Sequence, residues 1–310
     1  MTESSRIVLE KYQVRKKRKQ KSEFIGYVSE YAEKHGYKCE VEKCSLGARN
    51  IVVGDPEKAR VVYTAHYDTC PRLPFPNFIT PKNIGIYLLY NLALVLAFFA
   101  VSFGIGFAVG FVGSYFGMGE DAMKAVSLLI YFALLLLMVQ GPANKHTAND
   151  NTSGVTTLLD LMAAMPSEMR ENAAFIFFDL EESGLFGSKG YYSKHRRAMK
   201  DKLIVNFDCV SDGENILFAL RKGSVKYAST IGSAYRSDDK CNVTVETKGV
   251  FYPSDQACFP CGVGVAALKK TKGGLLYMDK IHTAKDTVYR EENIEFLVRG
   301  SVRLTEMISE

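Results

Sequence analysis

Ala173-Ala-Phe-Ile-Phe-Phe178, followed at once by Asp179-Leu-Glu181-Glu182-Ser-Gly184, is the stretch that decides the fold. Six apolar residues without polar alternation fit a strand covered on both faces. Such strands belong to parallel sheets sandwiched between helices. Leu203-Ile-Val-Asn-Phe207 repeats the pattern and runs into Asp208. Arg60-Val-Val-Tyr-Thr-Ala65 is a short β-rich run that ends in His66-Tyr67-Asp68, and Gly262-Val-Gly-Val-Ala-Ala-Leu268 fits a fourth strand. Segments of helical length lie between them, Val155 to Met165 among these, and Glu292 to Ile308 fits a closing amphipathic helix. The expectation is an α/β fold, a mostly parallel mixed sheet with helices on both faces.

One region does not belong to such a domain. From Ile84 to about Phe116 the chain is apolar and uncharged, a short polar break follows at Gly117 to Lys124, and Ala125 to Val139 is apolar again. The first run exceeds the roughly 20 residues that a membrane-spanning helix requires, and the second is at the short edge. Together they read as an inserted hydrophobic helical hairpin at residues 84–140. The alternatives are a lid or a dimer interface. Residues 1–83 then hold an N-terminal helix and the first part of the domain, and 141–310 the remainder. A hairpin returns the chain to the side it left. Its turn holds Glu120, Asp121 and only Lys124, whereas Arg72, Lys82 and an N-terminal basic run lie on the domain side. The excess of Lys and Arg therefore assigns the domain to the cytoplasmic side.

The 310 residues are 47% hydrophobic, which excludes a disordered chain. A net charge of +5, with no basic patch interleaved with aromatics, does not point to nucleic acid. Seven cysteines, an odd number in so long a chain, read as free thiols rather than a disulfide framework, the Cys258-Phe-Pro-Cys261 pair included. The first residues are polar through Lys21 and contain no apolar core of a secretory signal. Ser5 to His35 is helix-compatible. Its run Arg15-Lys-Lys-Arg-Lys-Gln-Lys21 is either a solvated helix face or a juxtamembrane segment drawn to anionic lipid.

Chemistry concentrates where apolar strands end. His66 and Asp68 are two residues apart in an extended segment, which puts them on one side and suits a metal ligand and its support. Asp150, in Thr147-Ala-Asn-Asp150-Asn-Thr-Ser-Gly154, either caps the following helix or offers two oxygens to two metals. Glu181 and Glu182 have no packing role, and their side chains diverge. Asp208 closes another apolar strand, and His282 lies in Ile281-His282-Thr-Ala-Lys-Asp286-Thr287. Oxygen and imidazole donors without thiolate suit zinc, with manganese or cobalt as alternatives.

In this order, His66-Tyr-Asp68, Asn149-Asp150-Asn-x-Ser-Gly154, Glu181-Glu182-Ser-Gly-Leu-Phe-Gly-Ser188, Asn206-Phe-Asp208 and Ile281-His282-Thr-x-x-Asp286-Thr287 resemble the motifs of the di-zinc aminopeptidases. That family includes bacterial leucyl aminopeptidase, glutamate carboxypeptidase, the glutaminyl cyclases and the non-catalytic transferrin receptor. The resemblance covers roughly Ile51 to Pro81 and His146 to the C-terminus. It implies a zinc-exopeptidase fold and two zinc ions, one held by His66 and Asp208, the other by Glu182 and His282, with Asp150 bridging. It also implies Glu181 as general base, Asp68 orienting His66, and a cis peptide at Asp150-Asn151. Where relatives usually read Ser-Asp-His, this chain has Ser254-Asp255-Gln256, so substrate specificity does not carry across.

The function so implied is a membrane-anchored aminopeptidase acting on peptides with a free N-terminus, with lipid contacts through residues 84–140. The other readings are a carboxypeptidase-like or glutaminyl-cyclase-like enzyme, or a scaffold that has lost catalysis. The retained ligand set argues against the last. The oligomeric state is not encoded in any motif.

Overall fold

A computed structural model describes residues 1–117 and 119–309. Nine strands form one sheet: β1 (Cys39–Lys43), β2 (Arg49–Val53), β3 (Val61–His66), β4 (Ala173–Phe178), β5 (Leu203–Phe207), β6 (Asn215–Leu220), β7 (Asn242–Glu246), β8 (Gly262–Lys270) and β9 (Leu276–Tyr277). Their order is β1-β2-β4-β3-β5-β8-β6-β7, with β9 paired to the end of β8. The centre, β4-β3-β5-β8, is parallel, and antiparallel pairs flank it. His66 is in register with Phe178, and Thr64 with Asn206. The C-terminal ends of β3, β4 and β5 therefore open onto one edge, which is where open α/β sheets gather their ligands.

Among the described residues, nine α-helices accompany the strands: α1 (Glu3–Lys11), α2 (Arg18–Lys34), α3 (Ile84–Ser114), α4 (Glu120–Gln140), α5 (Gly154–Ala164), α6 (Phe186–Lys194), α7 (Arg196–Met199), α8 (Ala228–Ala234) and α9 (Glu291–Ser309). The uniform apolarity of the central strands has a direct cause. Val61, Tyr63, Phe175, Phe177, Val205 and Phe207 pack beneath α1, α2, α5 and α9. The alternate residues Val62, Ala174, Ile176, Phe178 and Ile204 pack beneath α6 and α7, with Phe259. Both faces are thus removed from water, as the continuous apolar runs require.

The N-terminal segment differs from the single helix-compatible stretch expected. It forms two helices with a break at residues 12–17, because Arg15 turns inward. Arg15 is fully buried and Lys21 nearly so, so neither is part of a solvated or lipid-facing run. Lys21 pairs with Asp179, which is also buried and also accepts from the backbone N–H of Arg49 at 3.0 Å. Removing one partner of such a pair leaves a buried charge uncompensated. Lys21→Met is expected to destabilise the chain by about 3–5 kcal/mol, read as a lowered unfolding temperature. The same change at exposed Lys19 should leave that temperature unmoved, because its pairing with Glu23 is solvent-screened. Equal unfolding temperatures for both variants would contradict this account of Lys21.

Helices α3 and α4 form the expected hairpin, and both are long and apolar enough to cross a membrane. At 1.5 Å per residue, the 31-residue α3 is about 46 Å long, more than a hydrocarbon core requires. The second helix begins at Glu120 rather than Ala125, since Glu120 and Asp121 suit the positive end of the helix dipole. Gly106 admits the close approach of the two helices, because a Cβ there would lie 1.9 Å from the Ser127 hydroxyl. Most other side chains of the hairpin, among them Leu89, Phe107, Leu129 and Phe132, are exposed. Aromatic pairs join its first helix to neighbouring segments, Phe75 with Phe98, Phe78 with Tyr90, and Tyr87 with Phe251, and Phe78 also pairs with Tyr277.

Candidate metal centre

His66 ends β3, Asp150 lies in the loop before α5, and the remaining candidates stand at sharp turns of the chain. Leu180, Cys209 and His282 all adopt left-handed backbone, with φ of 57°, 57° and 61°. For residues with a Cβ such a conformation is costly and persists only where the surroundings enforce it. Here it turns the chain sharply just before Glu181, just after Asp208 and at His282 itself. Asp150 is set from behind by Asp286, whose carboxylate accepts from the N–H groups of Asn149 at 2.8 Å and Asp150 at 3.0 Å. The Asp150-Asn151 peptide is cis. The Asn151 side chain donates to the carbonyl of Phe207 and accepts from the N–H of Gly154 and Cys209, joining this loop to the end of β5. Gly154 permits that closeness, for a Cβ there would sit 2.3 Å from the Phe207 carbonyl.

The structure brings His66, Asp150, Glu181, Glu182, Asp208 and His282 together from segments far apart in the chain. One oxygen of Asp150 lies 3.3 Å from His66 Nε2, and the other lies 3.0 Å from His282 Nε2. Asp208 is 3.4 Å from the first imidazole, and Glu182 is 3.2 Å from the second. The cluster thus divides into two donor sets that share Asp150, the same grouping that the family resemblance implies. Glu181 belongs to a third set with His66 and Glu182, whose donor atoms lie within 4.8 Å of one another.

Asp68 meets His66 mainly through its main chain. The ring Nδ1 of His66 faces the main-chain carbonyl of Asp68 at 3.1 Å, while the nearer carboxylate oxygen is 3.7 Å away. That carboxylate instead accepts from the backbone N–H groups of Glu181 at 3.0 Å and Glu182 at 3.3 Å. It therefore positions both glutamates. With Nδ1 committed, Nε2 of His66 is the nitrogen turned toward the cluster.

Burial and charge act against each other here. Burial pushes both imidazoles down. The surrounding carboxylates overcome it, Glu181, Asp150, Asp208 and Asp68 for His66 and Glu182 and Asp150 for His282, so that both stand well above the ordinary histidine value. Burial raises Glu181 well above the usual carboxylate range, with Asp208, Asp255 and Glu182 adding to it against His66. Burial raises Glu182 too, opposed by His282. For Asp150 the upward push of burial is outweighed by His282 and His66, and its value is lowered. Glu182 Oε1 is buried with no hydrogen-bond partner among the described residues. A pocket in which buried carboxylates outnumber two imidazoles calls for positive charge. The oxygen and nitrogen donors present fit zinc.

Three neighbours went unread in the sequence. Arg15 donates to the Tyr67 carbonyl at 2.5 Å and to Thr152 Oγ1 at 3.2 Å, tying the loops of His66 and Asp150 to the N-terminal segment. Burial lowers its pKa to about 10, against the pull of Asp68 and Asp150. Asp255 is fully buried, its oxygens have no partner among the described residues, and burial raises its pKa to about 7. The third is Cys70, whose Sγ joins Asp150, Glu182 and His282 in one donor group. No local pattern marks a buried arginine whose partners lie more than fifty residues away, and a lone cysteine carries no spacing signal. Gln256 is also buried, accepting from Asn206 Nδ2 at 3.1 Å and donating to the Tyr252 carbonyl at 2.7 Å. Its amide braces β5 from below the cluster.

A model of peptidase family M28 matches residues 132–297. No curated protein sequence matches the chain. Among solved structures, the LapA aminopeptidase of Legionella pneumophila superposes with a TM-score of 0.56 at 13% identity, over 99% of this chain and 70% of that one. A glutaminyl cyclase of Bacteroides thetaiotaomicron gives 0.55 at 15% identity, over 97% and 96%. A Zn-dependent exopeptidase of Parabacteroides distasonis gives 0.53 at 16%, over 98% and 94%. At these identities the likeness is one of fold.

Proposed function

Because the chain belongs to peptidase family M28, we propose that it is a membrane-anchored aminopeptidase that binds two zinc ions and removes residues from the free N-terminus of peptides. One observation carries this reading: the two oxygens of Asp150 face different imidazoles, each completed by a further carboxylate. His66, Asp208 and Asp150 would hold one ion, and His282, Glu182 and Asp150 the other. Bound there, the ions supply Lewis acidity that makes a water nucleophilic near neutral pH and offsets negative charge on the scissile carbonyl oxygen. Glu181 accepts the proton as the water oxygen bonds to the carbonyl carbon, then delivers it to the departing amine as the C–N bond breaks. Asp68 keeps the Glu181 backbone in place for both transfers.

The hairpin is the anchor in this reading, and the excess of basic side chains on the domain side supports a cytoplasmic catalytic part. The segment leading into it adjoins the cluster. Arg72 N–H donates to the Pro142 carbonyl at 2.8 Å, Leu73 N–H donates to the His282 carbonyl at 2.7 Å, and Lys16 Nζ reaches the Val139 carbonyl at 2.9 Å. The catalytic mouth then opens close to the bilayer, where apolar or membrane-derived peptides are found. The chain is expected to stay with membranes through a high-salt wash and to leave only in detergent. Full solubility without detergent would remove the anchor.

The activity itself is tested with zinc-loaded full-length protein. Aminoacyl-arylamides are expected to be cleaved and their N-blocked counterparts left intact. Equal cleavage of both would exclude an aminopeptidase. Ammonia released from N-terminal glutaminyl peptides without chain cleavage would assign a cyclase instead.

A further inference from the structure

We propose that Cys70 is a fourth protein ligand of the ion held by Asp150, Glu182 and His282, an inference that rests on the two-ion reading above. Cys70 Sγ and one donor atom from each of those three residues all lie within 4.8 Å of one another. The thiol is fully buried. Glu182, the carboxylate it faces, has one oxygen turned to His282 and the other without a partner among the described residues. The donor group is thus one cation short of being satisfied. Asn144 Nδ2, which donates to the His146 carbonyl at 2.5 Å and the Thr283 carbonyl at 2.9 Å, lies 3.9 Å from the sulfur.

On binding, the S–H bond breaks, its proton passes to solvent, and a sulfur–metal bond replaces it. The two ions then differ. The Cys70 set has four protein donors, the number typical of a closed zinc site, whereas His66, Asp150 and Asp208 supply three and leave a position free. Thiolate also favours zinc or cobalt over manganese, so the pair of sites is not equally permissive. Cys70 lies in the segment that leads from β3 to the hairpin. Its carbonyl accepts from the Asn144 N–H at 3.1 Å, and the next residue, Pro71, bridges to Ala143 on the returning stem. The ligand is therefore fastened to the segment that follows the hairpin.

The test uses the full chain, reduced, in detergent and loaded with zinc, examined by X-ray absorption at the zinc edge. The expected result is a sulfur neighbour at about 2.3 Å, averaging one sulfur per two zinc ions, which disappears in Cys70→Ser. In that variant zinc at one site should be removed by a competing chelator at a concentration at least tenfold lower. Cobalt-loaded protein should show a thiolate-to-cobalt charge-transfer band that Cys70→Ser lacks. Two zinc ions surrounded only by nitrogen and oxygen in the unaltered chain would overturn the assignment of Cys70 alone. A chain that takes up no zinc would overturn the two-ion reading and this inference with it.

Discussion

Glu181→Gln is expected to lower kcat by about three orders of magnitude, within the range that general acid–base catalysis contributes, while bound zinc stays at its original level. Glutamine has the same shape and keeps a carbonyl oxygen, but it cannot accept a proton. The backbone N–H of Glu181 donates to Asp68 at 3.0 Å whatever the side chain is, so the turn after β4 keeps its course. None of the close contacts linking Asp150 to the two imidazoles passes through Glu181. The loss therefore falls on the chemical step, about 4 kcal/mol at 1.36 kcal/mol per decade, with KM changed little. Steady-state kinetics and metal analysis of the same preparation check it. A fall of less than tenfold would remove Glu181 as the proton carrier.

Asp150→Asn is expected to cost more, because it strikes both donor sets at once. The native carboxylate presents an oxygen to each imidazole, at 3.3 Å and 3.0 Å. An amide offers one oxygen and one NH2, so one side of the cluster would face a donor where it needs an acceptor. It also removes the negative charge shared between the two ions. Bound zinc should drop from two per chain to one or none, with activity down by more than about three orders of magnitude for loss of the metal's chemistry. Asp286 grips the backbone of residues 149 and 150 rather than the side chain, so the fold should persist. Circular dichroism and an unfolding curve check that point. Two retained zinc ions with near-normal turnover would show that Asp150 does not bridge.

How far the sequence could be read depended on whether a signal was local. β4 is apolar throughout and β3, β5 and β8 are mostly so because both of their faces are covered, and that signature stands out in the sequence. The site residues followed from them, since His66, Glu181, Glu182 and Asp208 stand at or just beyond the ends of those strands. The outer strands were not legible. β1 reads Cys-Glu-Val-Glu-Lys and is largely exposed at the sheet edge, so its pairing with β2 is set by neighbours rather than by its own composition. β6 and β7 likewise went unread between loops. The basic run near the N-terminus shows the limit most plainly. Arg15 and Lys21 look like their solvated neighbours Lys17 and Lys19, and only the fold supplies the carbonyls and the Asp179 carboxylate that let them go inside. Cys70 was hidden for the same reason, because its neighbours Glu182 and His282 lie more than a hundred residues away.

The central claim is that distant imidazoles and carboxylates grip two cations across Asp150. Anomalous diffraction at the zinc edge, from crystals of the zinc-loaded chain, tests it most directly. The expected result is two peaks flanking the Asp150 carboxylate, one against His66 and Asp208 and the other against Glu182 and His282. A single peak, or peaks elsewhere with this cluster empty, would contradict it.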